Sequence, residues 1–114
     1  MNISNDNDEG NAFIDLYNNV IKFNDKNVFI IVDDDDLVWF KAIDVAIMLE
    51  YKRTTNAIQY HVDDDDKRTF GDLKSYVRYI PPNSQLSTIY INEAGFYSIV
   101  FSSQMPIAKA FKSW

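Results

Sequence analysis

The residues Trp-Phe-Lys-Ala-Ile-Asp-Val-Ala-Ile-Met-Leu at positions 39–49 contain a change of pattern that decides the fold. Leu37–Phe40 is short and rich in apolar and aromatic residues, which predicts a β-strand. Ala42–Leu49 is apolar on nearly every side of a helical projection, which predicts a short helix buried in the domain. The stretch therefore predicts an α+β fold, in which a strand leads into a core helix.

A small N-terminal β-meander is predicted before this helix. Val20–Phe23 and Val28–Val32 carry β-branched and aromatic residues, and the turn-forming residues 24–27 separate them, as in a hairpin. Four adjacent carboxylates repel one another and Asp favours turns, so Asp33–Asp36 predicts a second turn. Leu37–Phe40 then returns antiparallel as the next strand.

A second helix is predicted soon after the first. Tyr51–Thr54 interrupts the apolar pattern, and Thr54 is a candidate N-cap for a helix that ends near Val62. The two helices and their short connection form a helix-turn-helix-like pair. The second helix would turn four residues inward, namely Ala57, Ile58, His61 and Val62.

A further short strand region is predicted in the second half of the chain. Lys67–Phe70 and Tyr76–Ile80 have the composition of short strands, and Pro81–Ser84 has that of a loop. Thr88–Ile91 is a more regular strand signal. The sheet is therefore expected to gain strands from this region.

C-terminal helices complete the predicted order. Asn92 is a good N-cap for a helix over Glu93–Phe101, and Pro106 is tolerated in the first turn of a last helix. The apolar positions of that last helix recur at helical spacing up to Trp114. Because the chain stops on this apolar face, we expect it to be the N-terminal part of a longer protein.

Length and composition bound the class of protein. The chain has 114 residues, 46% of them apolar, which suffices for one domain over residues 13–114, whereas residues 1–12 are acidic and predicted to be disordered. The absence of Cys excludes disulfides, zinc fingers and thiol nucleophiles. No apolar run approaches the roughly 18 residues that span a bilayer. We expect an intracellular protein that does not enter the membrane.

The distribution of charge matters more than its sum. The net charge of −6 argues against nucleic acid as a partner, since phosphates favour an excess of Lys and Arg. The acid, however, is concentrated in the N-terminal tail, in Asp33–Asp36 and in Asp63–Asp66, whereas the base is concentrated between Lys52 and Arg78. Binding depends on the local potential of one face, so a cationic face remains compatible with an acidic chain.

Polar and basic side chains form the outward stripe of the second helix. Asn and Gln can make paired hydrogen bonds to adenine, Thr can bond to bases or phosphate, and aromatic rings can stack on bases. Taken alone, this pattern is more typical of an ordinary solvated helix face. The candidate nucleic-acid-binding residues are Lys52, Arg53, Thr55, Asn56, Gln59 and Tyr60 at this helix, and Lys67, Arg68, Lys74 and Arg78 beyond it.

Two segments resemble the Bro-N domain of large DNA viruses and phage antirepressor-like proteins. The first contains Trp39–Val45 and continues to the acidic-to-basic step before Lys67; the second contains Tyr90–Tyr97 and continues to Trp114. The resemblance implies double-stranded DNA binding with weak sequence preference, a regulatory role, and a location in the host nucleus or cytoplasm. One departure is Glu50, where the family usually has Gly.

The sequence favours binding over catalysis. The side chains of adjacent Asp residues point in different directions, and neither Asp run has the spaced ligands of an EF-hand, so a metal-dependent nuclease is the weaker interpretation. His61 has no partner at motif spacing and is predicted to pack in the core. We therefore expect no catalytic residue, cofactor or metal. The open alternative is an interaction module that docks a basic host protein through its acidic surface or assembles with its own copies.

Overall fold

The computed structural model describes residues 12–15, 20–23, 25–103 and 108 of the chain. Within these residues the fold is mixed α+β, with strands first and most helices after them, so the predicted fold class is confirmed. The predicted tail, apart from Ala12, and the predicted last helix, apart from Ala108, lie outside the described residues. Ala108 itself is buried in the core.

The described strands form one antiparallel sheet. The strands at Val20–Phe23, Lys26–Val32 and Val38–Lys41 form the predicted meander, and one strand that the sequence did not indicate, Ala12–Asp15, precedes them. The strands are β1 (Ala12–Asp15), β2 (Val20–Phe23), β3 (Lys26–Val32), β4 (Val38–Lys41), β5 (Lys67–Thr69) and β6 (Ile89–Ile91). The order across the sheet is β1-β2-β3-β4-β6-β5, and each neighbouring pair is antiparallel.

Helices fill the intervals between the later strands. Two short 3-10 turns, Asp64–Asp66 and Lys74–Tyr76, accompany them. No helix in the described ranges is long and apolar enough to cross a membrane. The helices are α1 (Ala42–Met48), α2 (Thr54–His61), α3 (Phe70–Leu73) and α4 (Glu93–Phe101).

The sheet buries apolar side chains on both sides because successive residues of a strand point to opposite faces. Ile30, Phe40 and Ile91 face α1, α2 and α4, and the ring of Phe40 stacks on that of Phe96 with centroids 4.4 Å apart. On the opposite side, Ile31, Trp39 and Tyr90 pack against Phe70, Leu73 and Val77. The sheet is therefore the middle layer of the domain.

The turn at Asp33–Asp36 is built around one buried carboxylate. Asp33 is only 8% exposed and accepts hydrogen bonds from the indole nitrogen of Trp39 (3.1 Å) and from the backbone N–H groups of Asp35 (2.9 Å) and Leu37 (3.0 Å). Burial raises the pKa of Asp33, but these hydrogen bonds and the positive charge of Arg78 outweigh it, and the pKa lies below its ordinary value. Asp33 is thus a structural residue, unlike the exposed residues that follow it.

Three local predictions are wrong. Tyr76–Ile80 is not a strand, because the chain follows the acidic turn there: the N–H of Asp34 donates to the carbonyl of Tyr76 (2.7 Å), and Val77 forms an isolated bridge with Asp33. Phe70 begins α3 rather than ending a strand. Thr54 is also not the N-cap of α2. Arg53 occupies that position, and no side chain caps the helix.

Gly95 allows α4 to pack closely on β6 and on the end of α2. A Cβ atom there would lie 3.0 Å from Val62 Cγ1 and 3.1 Å from Ile91 Cβ. Gly95→Ala is expected to lower the free energy of unfolding by about 1–3 kcal/mol, since overpacking outweighs the gain in helix propensity. Chemical denaturation measures the change. The cost should shrink when Val62→Ala is also present, and an equal cost in both backgrounds would contradict the packing explanation.

Candidate nucleic-acid interface

The outward stripe of α2 is exposed as predicted. Lys52 and Arg53 precede the helix, and every predicted stripe residue is exposed, with Tyr60 86% accessible. Ala57, Ile58 and Val62 are buried on the other face, while His61 is half-buried with its ring 5.5 Å from that of Tyr51 and 5.2 Å from that of Tyr60. We call Lys52, Arg53, Thr55, Asn56, Gln59 and Tyr60 the α2 face.

A tight turn at Glu50 sets the approach of α1 to α2. Glu50 has a left-handed backbone (φ 61°), the N–H of Tyr51 donates to the carbonyl of Ala46 (3.0 Å), and that of Glu50 donates to Ile47 (2.9 Å). This pattern is a Schellman motif, which normally has Gly at the left-handed position. The turn therefore forms despite the departure from Gly noted in the sequence.

Glu50→Gly is expected to raise the free energy of unfolding by up to about 1 kcal/mol. A side chain in the left-handed region costs roughly 1–2 kcal/mol, and the greater chain entropy of unfolded Gly offsets about half of that. Thermal or chemical denaturation measures the gain. Glu50→Ala is the matched control, because it removes the same charge and retains a Cβ atom. An equal gain in both variants would assign the effect to charge instead.

A groove of about 760 Å³ opens beside α2. It brings together four of the predicted site residues, Thr55 and Gln59 from α2 with Lys67 and Arg68 from β5. Apolar side chains and the segment 81–85 form much of the remaining wall. The residues that line the groove include Phe29, Lys41, Ile43, Thr55, Ile58, Gln59, Asp64, Lys67, Arg68, Phe70, Asp72, Pro81 and Tyr90.

Lys41 is a groove residue that the sequence reading missed. It ends β4 and lies opposite Tyr90 of β6, while Tyr90 lies opposite Arg68 of β5. Its ammonium group lies 6.0 Å from the centroid of the Phe29 ring. No local signal marks Lys41, because its neighbours in the groove come from distant parts of the chain.

The carboxyl group of Asp44 fixes the strand next to the groove. It accepts a hydrogen bond from the N–H of Phe29 (3.0 Å). The pairing of β3 with β4 ends at Ile30 and Phe40, so the Asp44 carboxyl group supplies the partner for the next N–H group of β3. Burial raises the pKa of Asp44, although this hydrogen bond and the charge of Lys41 oppose the shift. Burial and the charge of Asp44 also raise the pKa of Tyr90.

The remaining predicted cations differ in their surroundings. Lys67 pairs with Asp64 (3.2 Å), and Arg68 Nη1 donates to the carbonyl oxygens of Asp65 (3.2 Å) and Lys67 (2.6 Å). Arg78 pairs with Asp36 (2.6 Å) at the acidic turn. Lys74 is exposed in its 3-10 turn and, like Arg78, does not line the groove.

The second acidic run is also partly structural. Asp66 Oδ1 accepts a hydrogen bond from the amide of Asn92 (3.1 Å), and the Asp66 carbonyl accepts from the Asn92 backbone N–H (3.1 Å). Asn92 in turn caps α4, as predicted, by accepting from the N–H of Gly95 (2.8 Å). This contact holds the start of α4 against the turn that precedes β5.

Together these features define a small α+β domain with a polar helix face and a cation-lined groove beside it. Residues 27–114 match the BRO family, N-terminal domain (Bro-N). The chain belongs to this family, and the resemblance seen in the sequence is thereby confirmed.

The chain is also similar to viral and bacterial proteins. The chain is 33% identical over 88 residues to Bro-N domain-containing protein 289L of Invertebrate iridescent virus 6, covering 68% of this chain and 21% of the relative. It is 29% identical over 111 residues to the uncharacterized Bro-N domain-containing protein L2 of Acanthamoeba polyphaga mimivirus, covering 90% and 45%. An uncharacterized protein of Haemophilus influenzae is 31% identical over 93 residues, covering 81% and 42%.

The chain thus spans less than half the length of each of these relatives. No solved structure matches it.

Proposed function

We propose that this domain binds double-stranded DNA without altering it chemically, through the α2 face and the adjacent groove cations. The observation that carries the proposal is the exposed α2 face, with Lys52 and Arg53 at its start and Lys67 and Arg68 across the groove beside it. A regulatory role in a virus or phage is part of the same proposal. Membership of the Bro-N family supports it, because that family is associated with DNA binding.

The dimensions of the α2 face suit a major groove. The helix that carries it has eight residues and is therefore about 12 Å long, and the major groove of B-DNA, which is about 12 Å wide, admits an α-helix. Asn56 and Gln59 carry amides that can pair with adenine, and the cations at the start of α2 are placed to contact flanking phosphates. One amide-bearing face of two helical turns accounts for weak rather than strict sequence preference.

The α2 face and the groove together contribute more cations than carboxylates, although the chain as a whole is acidic. Lys41, Lys52, Arg53, Lys67 and Arg68 lie on the α2 face or in the groove, where the groove contributes only two carboxylates, Asp64 and Asp72. The chain as a whole carries a net charge of −6. Because association is governed by the potential of the contacting face, this surface can attract phosphates despite the acidic total.

Fluorescence anisotropy of labelled duplex DNA at several salt concentrations tests the proposal. Three to five phosphate contacts predict a slope of log affinity against log salt of about −3 to −5. A single-stranded oligonucleotide of the same length shows whether the duplex is preferred. Absence of salt-dependent binding to either DNA at low ionic strength would contradict the proposal.

The acidic turn favours a second candidate function, the docking of a basic protein partner. Asp34 and Asp35 are exposed beside two exposed apolar side chains, Leu37 and Tyr76, and the backbone of Asp34 contacts that of Tyr76. Acidic groups around apolar side chains suit a basic partner segment. Charge reversal of Asp34 and Asp35 should abolish such docking and leave DNA binding intact, which separates the two functions.

A further inference from the structure

Two cations flank Tyr90, a buried residue that lines the groove. Lys41 and Arg68 each lie opposite Tyr90, one on each neighbouring strand, so the three side chains share one side of the sheet. Neighbouring strands are about 4.8 Å apart, which places the Lys41 and Arg68 backbones roughly 10 Å apart. Both side chains are long enough to converge on one anion above Tyr90.

The charges of Lys41 and Arg68 are not neutralised by a direct ion pair in the part of the chain that the structure describes. Of the nearby carboxylates, Asp64 pairs with Lys67, and Asp44 accepts the N–H of Phe29 while its charge acts on Lys41 without a direct ion pair. Asp72 also lines the groove. Arg68 uses only Nη1 for its two carbonyl contacts, so its other N–H donors remain. An arginine fork and a lysine are the groups that best hold phosphate.

The rest of the groove suits a flat organic group. Phe29 is 38% exposed and Ile43 41% exposed, although both are large apolar residues that line it. Thr55 and Gln59 add hydrogen-bonding groups from α2. A volume of about 760 Å³ holds a ligand of nucleotide size, with apolar walls and a few polar groups as small-molecule sites have.

We propose that this groove binds a nucleoside monophosphate, with the phosphate between Lys41 and Arg68 above Tyr90 and the base against Phe29 and Ile43. The site goes beyond the proposed duplex binding, because a duplex is too wide to enter the groove and Lys52, Arg53, Asn56 and Tyr60 of the α2 face do not line it. A free nucleotide and an unpaired nucleotide at the end of a DNA strand both carry the phosphate and the base that this site would bind.

Calorimetric titration of the whole chain with deoxyadenosine monophosphate tests the site. Deoxyadenosine and inorganic phosphate, which are the two parts of this nucleotide, are titrated separately for comparison. The nucleotide is expected to bind at least tenfold more tightly than either half. Lys41→Gln and Arg68→Gln should each weaken nucleotide binding about tenfold, and Tyr90→Phe should weaken it a few-fold while retaining the ring. Lys52→Gln is the matched control, since Lys52 lies on the α2 face and does not line the groove; it should weaken duplex binding only.

The outcomes separate this site from the proposed DNA function. Any of three results would overturn the nucleotide site, whatever the duplex titration gives. The nucleotide could bind no more tightly than phosphate, Lys52→Gln could lower the nucleotide affinity as much as Lys41→Gln does, or no nucleotide could bind at all. A hairpin duplex with a blunt end and one with a single unpaired 5′-phosphorylated nucleotide distinguish the sources. Tighter binding of the second hairpin, lost in Lys41→Gln, assigns the site to a strand end; binding of the free nucleotide alone assigns it to a small molecule.

Discussion

Replacement of Lys52 and Arg53 together by glutamate is expected to lower the affinity for duplex DNA by about 100-fold or more at moderate salt. The change removes two phosphate contacts and adds two repulsive charges at the start of the α2 face. Both residues are exposed, so the fold should be retained. Anisotropy titrations should also show that the salt slope becomes shallower by about 2, because two fewer counterions are released.

The matched control is the pair Lys22→Glu and Lys26→Glu, which changes the net charge by the same amount outside the α2 face and the groove. Its effect should be several-fold at most. An equal loss in both double variants would mean that only the total charge matters, and no loss in the first variant would place the DNA contact elsewhere.

Asp33→Ala is expected to lower the free energy of unfolding by about 2–4 kcal/mol, since buried donors left without an acceptor are costly. The indole of Trp39 and the N–H groups of Asp35 and Leu37 all donate to this one carboxylate. Chemical denaturation monitored by Trp fluorescence measures the loss. Asp34→Ala and Asp35→Ala change the same residue type in exposed positions and should each remain within about 0.5 kcal/mol of the parent.

Acid should weaken the same turn. Because the pKa of Asp33 is lowered in the folded state, its stabilisation is present above the ordinary value of 3.8 and is lost as the pH falls through the lowered value. The parent chain should therefore lose stability below about pH 4 more steeply than Asp33→Asn, whose side chain does not titrate. Parallel acid profiles of the two proteins would contradict this assignment.

Helix and strand propensities, capping residues and hydrophobic periodicity predicted the elements whose first and last residues are set by neighbours in the sequence. The helix over Glu93–Phe101 has the predicted bounds because Asn92 caps it, and the strand Val20–Phe23 also agrees. The exposed and buried faces of α2 followed from helical periodicity alone. Membership of the Bro-N family was likewise visible in the order of short motifs.

Contacts between distant segments were beyond the reach of local rules. Tyr76–Ile80 has strand composition, yet its backbone partners are supplied by the turn at Asp33–Asp36. The groove arises from strand pairing that places Lys41 and Arg68 on either side of Tyr90. Arg78 likewise lies at the acidic turn, where it pairs with Asp36, and not in the groove. The sequence identifies the basic residues, but only the folded structure shows which of them lie close together.

No residue separates β4 from α1, and this limits the insertions and deletions that the domain can accept during evolution. Lys41 is the last residue of the strand and Ala42 the first of the helix, so the strand sets the rotational phase of the helix. One inserted residue between them would turn α1 by about 100° and carry Val45 and Ala46 out of the core. We expect related chains to vary in length in the irregular segment 79–87 and to keep this junction at constant length.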